Sequence, residues 1–151
     1  MSETKPHRGY IATIVQCRCP RCREGKLFRH PLTFRLNRNT DMHDVCPVCG
    51  QPTDIEVGFY YGTGYISYLA ALLFTIIYFL LWLALIGFSF SDNRFLIWII
   101  SNSVFLVGLQ PWLMRFSRIF WLSCFVDYDP EWELHQPEMP ERINQEQMNN
   151  W

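Results

Sequence analysis

Residues 65–90 read YISYLAALLFTIIYFLLWLALIGFSF, a run that is apolar on every face of a helix. It lies within residues 57–91, which are 35 consecutive positions without a charged side chain. About 20 residues, rising about 1.5 Å each, cross a hydrocarbon layer of about 30 Å, so the run can cross one as a helix. A water-soluble domain with a single core is therefore excluded, although the mean hydropathy of the whole chain is only +0.01.

A second uncharged run of 20 residues occupies positions 95–114. It is less apolar than the first, since it contains Asn102 and Gln110. Only residues 91–94 separate the two runs, so two helices joined there must be antiparallel. Two strands could not satisfy their backbone polar groups in hydrocarbon. The sequence therefore predicts a two-helix antiparallel transmembrane hairpin, with helices at 65–90 and 95–114.

Charge is distributed unevenly around this hairpin. The net formal charge is +3 for residues 1–56, +2 for 57–126 and −6 for 127–151. Nine Lys and Arg residues precede the first span, whereas the connecting loop has only Arg94. The positive-inside rule then predicts that both termini are cytoplasmic.

Three shorter regions complete the predicted organisation. Residues 57–64 are a tyrosine-rich and glycine-rich linker suited to the membrane interface. Residues 115–126 set aromatic and aliphatic side chains against Arg118, which predicts an amphipathic helix lying along the headgroups. Residues 127–151 are acidic and contain three prolines, so we expect a tail that is largely disordered or ordered only on a partner.

Two CxxC motifs in the region before the hairpin carry the strongest chemical signal. They are Cys19-Pro-Arg-Cys22 and Cys46-Pro-Val-Cys49. Each turn places two thiolates close enough to share one ion, and two such turns complete a tetrahedral four-sulfur zinc site. In the reducing cytoplasm, metal binding is the better interpretation than disulfides. A closed shell of four sulfurs leaves no open position for water, so the predicted zinc is structural.

The predicted zinc site would stabilise residues 1–56 as a small ribbon. The segment between the motifs can hold a short hairpin, in agreement with the spacing of Leu27, Phe34 and Leu36. The region has few large aliphatic residues, and structural zinc contributes about 10 to 16 kcal/mol of apparent binding free energy.

Other potential ligands leave alternatives open. Cys17 is either a spare ligand or thiol near the site, or an exchangeable ligand used in metal delivery or redox sensing. His30 and His43 could replace a cysteine, but four cysteines already complete the shell.

Small and amide-bearing residues in and near the spans are candidates for helix packing. The small residues are Gly58, Gly62, Thr63, Ser67 and Ala71, and the polar ones are Asn102, Ser103 and Gln110. The first group either belongs to an interfacial anchor or forms a packing face. The second hydrogen-bonds either the other arm of the hairpin or a helix of a partner subunit.

Several functions have little support in the sequence. Neither span contains an acidic or basic residue, and HExxH, GxSxG and P-loop patterns are missing, so we expect no catalysis, no small-molecule substrate and no ion pathway. Nucleic-acid binding is disfavoured because topology and attraction to anionic lipid already explain the basic residues. These residues are Arg18, Arg21, Arg23, Lys26, Arg29, Arg35 and Arg38.

The motifs CPRCREGKLF, MHDVCPVCG, GFYYGTGYISY and PWLMRFSRIFWLSCFVDYD together resemble a bacterial family of small zinc-ribbon membrane proteins. That family is catalogued as domain of unknown function nine hundred and eighty-three. The resemblance covers residues 19–129 and implies zinc on the four CxxC cysteines and an inner-membrane location. Many members have glycine directly after the second cysteine, where this chain has Arg23, so the first CxxC turn is expected to be less regular.

Some members of that family are encoded beside haem–copper oxidase subunits and their assembly factors. The resemblance therefore implies a non-catalytic accessory or assembly protein of a larger inner-membrane complex, in contact with membrane lipid and respiratory in character. The alternative is a metal-handling or thiol-redox factor that passes copper or electrons to an oxidase through Cys17 and Cys124.

Overall fold

A computed structural model describes residues 9–56, 58–87, 89 and 92–137 of the chain. Five helices occur within these residues. They are α1 (Tyr10–Val15), α2 (Leu36–Asn39), a one-turn 3₁₀ helix (Phe59–Gly62), α3 (Thr63–Leu85) and α4 (Arg94–Ser123).

Helices α3 and α4 form the predicted antiparallel hairpin. Both are long and apolar enough to cross a membrane. Aromatic contacts join them along their length, including Phe79 against Trp98 with ring centroids 5.2 Å apart. The Tyr78 hydroxyl also donates to Ser101 Oγ at 3.0 Å. The outer face of α3 is a continuous exposed surface of leucine, isoleucine and tyrosine, as expected for contact with lipid.

The first helix ends earlier than predicted. It was expected to reach residue 90, but α3 ends at Leu85. Gly87 adopts φ +79 and its N–H bonds the carbonyls of Trp82 and Leu83, which is the left-handed ending that glycine favours. Arg94 then donates to the Ile86 carbonyl at 3.0 Å and so satisfies one of the last carbonyls of the helix.

The prediction of a separate interfacial helix at 115–126 was wrong, because α4 runs without interruption from Arg94 to Ser123. Pro111 lies inside the helix and does not end it. The apolar face that follows Pro111 is turned toward the cysteine-containing region rather than toward headgroups. Its buried residues include Leu113, Ile119 and Leu122.

The region before the hairpin, residues 9–56 of the described chain, is called the head. Only isolated antiparallel bridges occur in it, and no strand is formed among its described residues. The bridges pair Arg18 with Lys26, Phe28 with Met42, and Val45 with Pro52. The predicted β-hairpin between the CxxC motifs is therefore not confirmed. The apolar residues whose spacing suggested this hairpin do not share one buried face, since Leu27 is buried whereas Phe34 and Leu36 are exposed.

The head does not have a core of its own. Ile14 and Leu27 pack in one cluster with the four CxxC cysteines, and Ile119, Leu122 and Val126 complete that cluster. Helix α1 also lies along α4, where Trp112 Nε1 donates to the Val15 carbonyl at 3.1 Å. The predicted boundary at residue 56 therefore separates two parts of one packed unit.

The first part of the acidic tail contacts the head. The backbone N–H of Asp129 donates to the Arg21 carbonyl at 3.2 Å, and the Arg21 guanidinium pairs with the Asp129 carboxylate at 3.2 Å. Residues 127–137 therefore fold back on the head. The remainder of the predicted tail, 138–151, lies outside the described residues.

Candidate metal centre

Each CxxC motif forms a tight turn, called a knuckle here. In the first knuckle, the N–H of Arg23 donates to the Cys19 carbonyl at 2.9 Å. In the second, the N–H of Gly50 donates to the Cys46 carbonyl at 2.9 Å. A single antiparallel bridge closes each knuckle at its base. The two halves of the site are thus built on the same local pattern.

The two knuckles bring all four predicted ligands together. The Sγ atoms of Cys19, Cys22, Cys46 and Cys49 all lie within 4.8 Å of one another, and the four side chains are buried. The Sγ atoms of Cys19 and Cys49 are 3.7 Å apart, and those of Cys22 and Cys46 are 3.8 Å apart. Four sulfurs bound at about 2.3 Å around one zinc ion are about 3.8 Å apart, so the arrangement fits tetrahedral zinc.

Backbone N–H groups point at three of the sulfurs. Gly25 N donates to Cys22 Sγ at 3.5 Å. Backbone donors also reach Cys46, from Cys49, and Cys49, from Gln51. Such bonds stabilise the thiolate form that a metal requires.

Hydrogen bonds among the four thiols drive their pKa values apart. They raise the pKa of Cys19 and lower that of Cys22, each effect being larger than desolvation by burial. Four buried sulfurs this close therefore do not ionise independently. A divalent cation would hold all four as thiolates, and it would act as a structural cross-link with no open position.

The first knuckle was expected to be less regular than the second, and the structure shows one similarity and one difference between them. Arg23 adopts φ +59 and Gly50 adopts φ +70, so the arginine takes the same left-handed conformation as the glycine of the second knuckle. The first knuckle is, however, one residue longer at its base. Cys19 N bonds the carbonyl of Gly25, whereas Cys46 N bonds that of Gln51.

Gly25 lies directly against the four-sulfur site. A Cβ atom built at this position would collide with Cys46 Sγ. Any side chain here would therefore displace a ligand. The sequence does not reveal this contact, because Gly25 and Cys46 are far apart in the chain.

The other candidate ligands are not part of the four-sulfur group. Cys17 adopts φ +54, and its thiol faces the Val15 carbonyl at 3.9 Å. Burial raises the pKa of Cys17 to about 11, which keeps the thiol protonated at neutral pH. Cys124 is exposed at the end of α4. His30 pairs with Asp41 at 3.2 Å, and the metal-ligand group formed by the described residues contains neither His30 nor His43.

Arg21 is a structural residue that the sequence did not reveal. It was counted among surface basic residues, but it is buried beside the second knuckle. Its guanidinium donates to the Cys49 carbonyl at 3.4 Å and to the His135 carbonyl at 2.8 Å. Although desolvation opposes it, hydrogen bonds from Glu131 N–H, His135 and Arg21 lower the pKa of Asp129, which keeps this carboxylate ionised.

The predicted helix-packing residues divide between the inside and the outside of the hairpin. Gly62 lies against the ring of Trp121, where an added Cβ would be about 2.5 Å from the indole. Thr63, Ser67 and Ala71 follow at helical spacing and are half-buried. Gly58 is also half-buried and adopts φ +80 at the start of the 3₁₀ helix.

Of the three polar residues of α4 predicted to pack against another helix, Asn102 is buried, and its Oδ1 has no hydrogen-bond partner among the described residues. Ser103 and Gln110 are exposed together, and Ser103 Oγ bonds its own helix at the Ile99 carbonyl. The polar contact between the two helices comes instead from Ser101 and Tyr78, which sequence reasoning did not select.

Comparison with protein-family models gave no match, and neither the curated proteins nor the solved structures include a similar one at a significant level. The likeness to the zinc-ribbon family rests on the quoted motifs alone.

Proposed function

We propose that this chain is a non-catalytic, zinc-stabilised accessory or assembly protein of a larger inner-membrane complex. The observation that carries the proposal is the closed site of four buried sulfurs built into the core that joins the head to α4. A metal there would fix the head relative to the hairpin. The exposed surface of the head would then have one defined shape, which binding to a partner protein requires.

Polar clamps between the head and α4 support the same role. The Arg115 guanidinium donates to the carbonyls of Asn39, His30 and Pro31, each at 2.9 Å. The Asn39 amide donates to the Pro111 carbonyl at 2.8 Å. Each of these side chains is buried, so breaking a clamp would leave an unpaired polar group.

Two exposed features of the hairpin suit a partner within the membrane. Ser103 and Gln110 present polar groups on the outside of α4. An amide facing lipid is unfavourable, and a neighbouring transmembrane helix would satisfy it. This face of α4 is therefore the proposed binding surface for a partner subunit.

The proposed location is the bacterial inner membrane, with both termini in the cytoplasm and the hairpin spanning the bilayer. Support comes from the excess of Lys and Arg before the first span and from the resemblance to the zinc-ribbon membrane family. The association of that family with oxidase subunits makes a respiratory complex the first partner to test.

A metal-handling or thiol-redox factor is the rival function. It would use Cys17 and Cys124, and the exposure of Cys124 is in its favour. The raised pKa of Cys17 is against it, because the thiolate is the form that attacks a disulfide or binds copper.

Purification of the tagged protein in mild detergent, with mass spectrometry of co-eluting chains, tests the proposal. We expect subunits of one membrane complex to co-elute with the wild type and to be reduced in Gln110→Leu. Ile97→Leu, a change at an exposed position on a different face of α4, is the control and should retain them. Repeated elution of the wild type alone would contradict the accessory role.

A further inference from the structure

One segment of the head exposes apolar and basic side chains together. Within residues 31–38, Leu32 is 55% exposed, Phe34 69% and Leu36 60%. Arg35 and Arg38 lie among them and are also exposed. No Asp or Glu occurs between Gly25 and Thr40. Three large apolar side chains in one short stretch are unfavourable in water, so this surface requires a covering.

Hydrogen bonds fix the position of residues 31–38 along the axis of α4. The first residue, Pro31, accepts a hydrogen bond from Arg115, and Asn39, directly after the segment, donates to the Pro111 carbonyl. Both ends are therefore tied to the same turn of α4. The segment cannot move along the helix without breaking buried hydrogen bonds.

That position coincides with the edge of a bilayer core. At about 1.5 Å per residue, Pro111 lies about 26 Å and Arg115 about 32 Å from the start of α4 at Arg94. The hydrocarbon core is about 30 Å thick. If the connecting loop lies at one surface of the membrane, the segment lies at the opposite boundary between hydrocarbon and headgroups.

The cysteine knuckles lie farther from the connecting loop than this boundary. Their cluster includes Ile119, Leu122 and Val126, and Arg21 connects the Cys49 carbonyl with the His135 carbonyl, which lies beyond the end of α4. The knuckles would therefore be in water when residues 31–38 are in the interface.

We propose that residues 31–38 insert into the interface of the membrane and bind anionic phospholipid. This inference rests on the proposed membrane location of the hairpin. Leu32, Phe34 and Leu36 lie among the upper acyl chains, and Arg35 and Arg38 bind lipid phosphates. The segment thereby takes the interfacial position that the sequence had assigned to the end of α4.

Lipid is favoured over a protein partner for this surface by continuity and by charge. The segment adjoins the apolar outer surface of the hairpin at the height where headgroups begin. Its arginines match the negative potential of a cytoplasmic leaflet, which attracts basic residues.

Photocrosslinking in vesicles tests the proposal. Benzoylphenylalanine is placed at Phe34, at Leu73 on the exposed face of α3, or at Val48 on the second knuckle, in full-length protein reconstituted in phosphatidylcholine with phosphatidylglycerol. All three positions are exposed. We expect lipid adducts at Phe34 and Leu73 and none at Val48, read by mass spectrometry.

The controls separate failure of the inference from failure of the proposed membrane location. Lipid adducts at Leu73 but not at Phe34 would overturn the inference and leave the hairpin in the membrane. Lipid adducts at neither position would overturn both. Adducts at Phe34 with a co-purified protein in place of lipid would assign the surface to a protein partner and also overturn the inference.

The arginines are tested with the same probe at Phe34. We expect a several-fold preference for phosphatidylglycerol over phosphatidylcholine in the wild-type background, and its loss in the double variant Arg35→Gln with Arg38→Gln. Lys26→Gln is the matched control and should keep the preference. A preference unchanged by the double variant would overturn the role of these arginines.

Discussion

Both cysteine knuckles place the residue after their second cysteine in the left-handed conformation, but that residue differs between them. The second knuckle places Gly50 at φ +70, which costs glycine nothing. The first places Arg23 at φ +59, where a side chain costs about 1 to 2 kcal/mol. The convergence of the cysteines therefore determines the backbone conformation after each CxxC motif. The residue at that position determines only how much conformational free energy the turn requires.

The knuckles also differ in what surrounds them. Arg21, in the first knuckle, joins the second knuckle to the start of the tail through the carbonyls of Cys49 and His135. Arg23 lies over the ring of Tyr128 at 3.6 Å, so its unfavourable backbone is compensated by a contact with the same tail segment. The second knuckle needs no such support at Gly50.

The largest effect is expected from removing a ligand from either knuckle. Cys19→Ser and Cys46→Ser should each abolish metal binding and unfold the head, because structural zinc contributes about 10 to 16 kcal/mol of apparent binding free energy. Metal content per chain and protease resistance of the head measure this. Cys17→Ser is the control and should leave both unchanged. If Cys17→Ser keeps its full metal content but no longer supports assembly of the partner complex, the metal-handling or thiol-redox function is favoured instead.

A methyl group placed between the knuckles should have the next largest effect. Gly25→Ala brings a Cβ atom onto Cys46 Sγ, and overpacking of this kind costs about 1 to 3 kcal/mol. We expect weaker metal retention against a chelator and a lower melting temperature. Gly64→Ala, with nothing within 4 Å, is the matched control and should be neutral or slightly stabilising. Equal metal retention in both variants would contradict the described proximity of the knuckles.

Adding a side chain to the glycine of the second knuckle should have a smaller effect. Gly50→Ala should lower the free energy of unfolding by about 1 to 2 kcal/mol, because the left-handed conformation disfavours a Cβ atom. The surrounding space does not oppose it, since the nearest atom, in Pro137, is 3.8 Å away. Thermal unfolding of the metal-loaded protein measures the change, and an unchanged midpoint would show that the backbone is not strained there.

The converse change in the first knuckle should have the smallest effect. Arg23→Gly relieves about 1 to 2 kcal/mol of backbone strain and loses a cation–π contact of about 0.5 to 1 kcal/mol, so a small net stabilisation is expected. Repeating the substitution in a Tyr128→Leu background should increase the stabilisation, since that contact is already absent. A destabilising Arg23→Gly in the Tyr128→Leu background would contradict the strain argument.

Features set by local sequence could be predicted. The CxxC spacing fixes which cysteines converge, and the uncharged runs fix where the long helices lie, because both depend on residues close together in the chain. The convergence of Cys19, Cys22, Cys46 and Cys49 was therefore predicted correctly from the sequence, as was the antiparallel order of α3 and α4.

Features that depend on distant parts of the chain were missed. Ile119 was interpreted as part of a lipid-facing stripe, because the sequence does not show that the head covers it. Arg21 was counted with the other basic residues of the head, and nothing local in the sequence indicates that Arg115 is buried, since the carbonyl acceptors of both come from segments far away in the chain. The break expected after residue 114 failed for the same reason, as the change in polarity there marks the edge of the head and not the end of a helix.

Elemental analysis of gently purified, full-length protein tests the central claim most directly. The account predicts one zinc ion per chain in the wild type, the same content in Cys17→Ser, and none in Cys46→Ser. Wild-type protein that is folded and contains no stoichiometric metal would contradict it.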